Sequence, residues 1–260
     1  MGGQVFPLRL RSFVGLIPLF AVELLESKVI ERTPHFKKRM RWFLENRADL
    51  ARHVSFMEEP HRPGHTHYLL AIPSRDRLAR VLRYALDEGE FLSPYGLRSL
   101  SRVHLANPFN FQVEQGSFRV TYLPGESDSG VFGGNSNWRG PIWFPLNYLF
   151  IEALERYHHF YQGSFRVECP IGSGHLMTLK EVARELGRRL VQLFLPDSRG
   201  MRPCHGKEMR YAQDPNWREL LLFHEYFHAD TGEGLGASHQ TGWTSLVARC
   251  LEDLAHSRQR

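Results

Sequence analysis

An all-α domain with long functional loops is the architecture this sequence predicts, and three observations carry it. Apolar residues recur at helical spacing in several separate stretches, as with Leu78, Val81, Leu82 and Ala85, or Val182, Leu186, Leu190 and Phe194. Helix-start chemistry stands in front of them: Ser74 is a good N-cap, and Thr178-Leu-Lys-Glu181 is a capping box. Between these stretches lie glycine-rich or polar segments with no period, such as residues 107–138.

Taken in order, residues 12–28 read as a first helix, apolar on nearly all sides and deeply buried. Arg9 and Arg11 precede its apolar run, which resembles a signal peptide, but acidic Glu23 and Glu26 follow in place of a small-residue cleavage site. The run is also far below the roughly 20 residues of a spanning helix. Residues 34–54 form a second, basic helix. The tract with His61, His65 and His67 reads as a solvated loop, punctuated by Pro and Gly. After the helix opened by Ser74, residues 95–104 are a short helix candidate, and "FRVTYLP" alternates enough for a short strand. A long helix starts at Pro141, with Ile142, Leu146, Leu149, Ala153, Tyr157 and Phe160 along one face. Residues 214–228 are helical in at least their first part, and the last helix runs from about 242 to 255. That is about seven helices, with connections longer than a simple bundle uses.

The chain of 260 residues is long enough for a sizeable core, and its 42% apolar and 23% charged residues are those of an ordinary globular protein. The net charge of +5 comes from interspersed residues, not from a basic block, which argues against nucleic acid as a partner. No segment calls for a membrane. Three widely spaced cysteines, Cys169, Cys204 and Cys250, make neither a disulfide framework nor a zinc ribbon and fit a reducing, cytoplasmic setting.

Several short segments carry chemistry. His224-Glu225-Tyr226-Phe227-His228 is the short signature of a zinc peptidase, in which two histidines on one helix hold the metal and the Glu acts as base. Thr231 stands where a metzincin has Gly, and Glu233 lies in a glycine-rich turn, so no third ligand is evident. "GGNSNWRGPIW" places Trp138 and Trp143 around Arg139: flat apolar faces with polar edges, as a sugar requires, or two anchors holding a loop to the core. "FLSPYGLRSLS" is a turn containing Tyr95, and "GLGASHQTGWTSLV" is a glycine loop that lacks the Lys of a phosphate-binding loop.

Together and in order, "FLSPYGLRSLS", "NWRGPIWFPLNYL", "HEYFHADTGEGLG" and "GWTSLV" resemble glycoside hydrolase family 63, the family of processing α-glucosidase I and mannosylglycerate hydrolase. The resemblance spans residues 91–251. It implies an (α/α)6 barrel and inverting hydrolysis of an α-linked glucoside or mannoside in an oligosaccharide or small glycoside, with no cofactor and no metal. Inversion needs one carboxylic acid and one carboxylate base roughly 6.5–9.5 Å apart. The resemblance places the base at Glu225 and implies sugar contacts from Trp138, Arg139, Trp143, Tyr95 and Tyr226. The family's acid, an Asp in an Asp-x-Pro-Arg-like loop, has no counterpart; Asp76, Asp87 and Asp128 lack its context. Seven helices are also short of the twelve in a full barrel. Residues 1–260 are therefore expected to be the C-terminal part of such a domain, inactive and prone to associate alone, with an upstream segment completing it. The alternatives are a non-catalytic carbohydrate-binding remnant and a zinc peptidase.

Overall fold

A computed structural model describes residues 7–62, 65–113, 116–128 and 138–258. The chain is rich in helix but not all-α: among the described residues ten α-helices alternate with eleven short strands. It divides into two compact units. One takes in the described parts of Met1–Gly15, Glu88–Phe144 and Arg189–Arg249; the other those of Leu16–Asp87, Pro145–Arg188 and Cys250–Arg260.

The second unit holds most of the long helices. Arg75–Ala85 opens as expected, Ser74 accepting the backbone N–H of Arg77, and buries Leu78, Leu82 and Ala85. The capping box ahead of Leu179–Gln192 is formed: Glu181 accepts the Thr178 N–H at 2.6 Å, and the Glu181 N–H donates back to Thr178 Oγ1 at 3.3 Å. The longest helix, Phe144–Tyr161, starts three residues after Pro141, with Pro145 in its first turn. Of the expected face, Ile142, Ala153, Tyr157 and Phe160 are buried and Leu149 is exposed; Asn147, Phe150, Leu154 and Tyr161 are buried as well. Pro34–Asn46 and Ala48–Ala51 replace the expected second helix, and Thr241–Thr244 with Val247–Arg258 replace the last.

The first expected helix is not one. Phe13–Phe20 is a 3-10 helix that contains Pro18, followed by a strand, Val22–Glu26, and a short helix, Ser27–Arg32. Phe13, Leu16, Leu19 and Val22 are buried while Val14 and Ile17 are exposed. That spacing of three suits a 3-10 turn, in which side chains at i and i+3 eclipse. Val22–Glu26 then pairs antiparallel with residues 67–71, and the histidine tract taken for a loop is a hairpin, Ser55–Arg62 with His65–Ala71. An apolar groove of about 570 Å³ lies between this sheet and Pro34–Asn46, lined by Phe20, Val22, Phe36, Met40 and Phe43. No helix among the described residues is long and apolar enough to cross a membrane.

Candidate active site

The four recognisable segments, dispersed over residues 91–247, meet within the first unit, three through backbone hydrogen bonds and the fourth through Thr244 Oγ1, which donates to His224 O at 2.7 Å. Ser99 N–H donates to Pro141 O at 3.0 Å, and Ile142 and Phe227 exchange N–H···O bonds at 2.8 and 3.0 Å. Leu123 N–H reaches Arg139 O at 2.7 Å, and Ala229 N–H reaches Pro124 O at 2.8 Å. Gly140 is required at this crossing, because a Cβ there would sit 2.3 Å from the Leu123 carbonyl oxygen. These extended contacts explain why residues 95–104 are not the expected helix: Leu92–Ser93 and Gly96–Leu97 form a tight hairpin, and helix begins only at Val103.

Residues 214–228 are not helical either. The Asp214 side chain takes the Asn216 N–H at 2.8 Å, and residues 215–219 close into a turn that does not continue as helix. Tyr226–Phe227 is a strand, paired with Gly234–Leu235. His224 and His228 consequently do not share a helix face as zinc ligation by this motif requires. The His224 ring lies over Gly234, and the His228 ring lies against Gly125, where Nδ1 accepts the Asp230 and Thr231 N–H groups. Among the described residues no group of three His, Cys, Asp or Glu side chains is arranged to hold a metal ion.

Glu225 stands at a bend immediately before the strand Tyr226–Phe227. Its N–H donates to Ala237 O at 2.8 Å, and its Oε2 accepts the Ala237 N–H at 3.2 Å. Gly236 has φ +68°, and a Cβ there would stand 2.8 Å from Glu225 Oε2 and 2.6 Å from the Tyr226 ring. The glycine therefore lets the carboxylate and the ring edge converge on one point. Behind them is an aromatic stack. Tyr226 lies on Trp143 with centroids 5.1 Å apart, and Trp143 lies on Trp138 at 4.7 Å with rings 3° from parallel. Trp243 packs edge-on to Trp143 at 6.0 Å, and its buried indole N–H has no partner among the described residues.

The stack separates the expected sugar contacts. Trp138 is 40% exposed, while Trp143 is 8% and Tyr226 3% exposed, both with ring faces covered. Arg139 is 1% exposed, with Nη1 donating to Asp128 at 2.9 Å. Tyr95 packs its ring on Gly232, on the turn that follows Glu225. A second buried cation, Arg98, donates to Tyr122 Oη at 2.9 Å and to Asp230 at 3.3 Å, pinning that turn. Burial pushes the Tyr122 phenol up to about 12, so it stays a donor, to Asp230 at 3.1 Å. Burial also pushes the His224 imidazole down and that of His205 down to about 4.

Arg98, Trp243 and Glu126 were not singled out from sequence. Arg98 and Trp243 lay in quoted segments; Glu126 is betrayed only by its Pro-Gly-Glu turn. Glu126 accepts the Tyr226 hydroxyl at 2.9 Å on each carboxylate oxygen.

Residues 63–244 match the model of the mannosylglycerate hydrolase MGH1-like glycoside hydrolase domain, well over half the chain and all of this site. The chain belongs to that family. The MGH1-like assignment agrees with the family 63 resemblance of the four segments. Similar proteins include the uncharacterized protein YMR196W of Saccharomyces cerevisiae, 49% identical over 98% of this chain and 24% of its own length. A probable mannosyl-oligosaccharide glucosidase of Schizosaccharomyces pombe is 24% identical over 93% of the chain and 25% of its own length. The mannosyl-oligosaccharide glucosidase of Saccharomyces cerevisiae is 26% identical over 67% and 15%. This MGH1-like chain thus spans a quarter or less of the curated relatives it matches.

Proposed function

We propose that the chain carries the base half of an inverting α-glycosidase site, acting on an uncharged α-linked glucoside or mannoside at the end of an oligosaccharide. Glu225 activates the water, and the exposed face of Trp138 receives the sugar's C–H face. The observation that carries this reading is the Gly236 gap, which holds a half-buried carboxylate beside an aromatic stack within segments that match a glycoside hydrolase family. A carboxylate held by one backbone N–H keeps lone pairs free to accept a proton from water.

The acid partner belongs to an upstream segment, as does the rest of an (α/α)6 barrel. Two features of the second unit suit such a segment: Pro34–Asn46 buries none of its residues, and the 570 Å³ apolar groove lies along it.

In a protein that includes the upstream segment, Glu225→Gln is expected to lower kcat by about 10²- to 10⁴-fold and to leave KM nearly unchanged, because water activation acts in the transition state. Proton NMR of the released sugar gives the inverted anomer first. These residues alone show no turnover. Retained activity in Glu225→Gln moves the base elsewhere, with Glu233 next; a retained anomer rejects inversion.

A further inference from the structure

The charge around the aromatic stack is one-sided. From Glu219 to Ala248 the chain has no Lys or Arg, and it has Glu219, Glu225, Asp230 and Glu233. Two buried arginines of the site are each paired, Arg139 with Asp128 and Arg98 with Asp230, while Arg202, beside the Gly232 turn, has a buried Nε with no partner among the described residues. Glu126, Glu225 and Glu233 have no cationic partner among the described residues. Glu126 differs from the other two in being tied to the stack itself. Its two oxygens share the Tyr226 hydroxyl, a neutral donor that fixes the carboxylate without cancelling its charge. Each carboxylate oxygen has a further lone pair, and the side chain is exposed.

We infer that Glu126 is a specificity-determining residue: an anchored carboxylate that accepts hydroxyl hydrogens from a neutral sugar at the stack and repels a glycoside bearing an acid. This rests on the reading of the stack as a sugar site. A rigid acceptor loses little freedom on binding a hydroxyl pair, and charge-assisted hydrogen bonds exceed neutral ones. An anionic ligand would meet the same group, with Arg98 and Arg139 already paired to aspartates.

The test is calorimetric titration of a protein that includes the upstream segment, carrying Glu225→Gln to stop turnover, with maltitol and maltobionate, open-chain α-glucosides that differ in carrying a neutral or an acidic end, with the corresponding mannosides alongside. Maltitol is expected to bind at least about 5-fold more tightly in about 20 mM salt, and the ratio to fall toward one in about 0.5 M salt. Glu126→Gln keeps an oxygen acceptor for Tyr226, brings the ratio close to one and weakens maltitol severalfold. Tyr226→Phe removes the tether but keeps the charge, so the ratio persists. A ratio insensitive to salt, or unchanged in Glu126→Gln, overturns the inference while sugar binding stands. Failure of that protein, with Glu126 intact, to bind any of these glycosides overturns the sugar-site reading beneath it.

Discussion

The helix Leu179–Gln192 and the turn that carries Glu225 are both short, both well ordered by hydrogen bonds, and opposite in what makes them. The helix is assembled from neighbours in sequence: a capping box three residues wide and an apolar stripe at Val182, Leu186 and Leu190. The turn takes its hydrogen bonds from elsewhere, with Phe227 on Ile142, Ala229 on Pro124 and Glu225 on Ala237. Local periodicity describes the first and misleads about the second.

Trp143→Ala tests the turn region hardest. Removing a buried ring packed between two others is expected to cost about 3–5 kcal/mol in denaturant unfolding. Trp138→Ala, next to it in the stack but 40% exposed, should unfold almost as wild type and instead raise KM in an active protein. Equal stability losses at both would erase the distinction between anchor and sugar platform.

Glycine substitution gives the next largest contrast. Gly236→Ala puts a side chain into the left-handed region and against Glu225 and Tyr226, at a cost of about 1–3 kcal/mol. Gly187→Ala, within the helix and with nothing near the added Cβ, should stabilise by about 0.5–1 kcal/mol. Thermal unfolding of the two variants reads the difference directly. Thr178→Ala removes the capping box and is expected to lose about 1 kcal/mol, leaving sugar binding unaltered.

The regions also part in acid. His205 is buried with both ring nitrogens unpartnered among the described residues, and its pKa falls to about 4. Unfolding frees it to bind a proton at the ordinary value of 6.5, so the stability it lends is complete above that pH and is lost as pH falls toward 4. Glu181, whose carboxyl is lowered by the Thr178 N–H and hydroxyl, loses its contribution only below the ordinary 4.5. Stability measured from pH 7 to 5 should therefore decline, and His205→Gln should flatten that decline whereas Glu181→Gln should not.

Where a helix is held by its own caps and stripe, as at Ser74 and Thr178, the sequence by itself determined its position. The candidate base was legible for another reason: Glu225 sits in an ordered set of short segments that match a family, although the local reading of its surroundings as helix was wrong. Only the tertiary structure decided that residues 12–28 bend into a 3-10 turn and a strand, that Trp143 and Arg139 lie beneath the surface while Trp138 faces out, and that Glu126 joins the stack. Each of these depends on a partner outside the local stretch, 11 or more residues away, or on which side of a ring another ring covers. Such contacts leave no period in the chain, because a hydrogen bond between distant strands asks nothing of the residues next to either end.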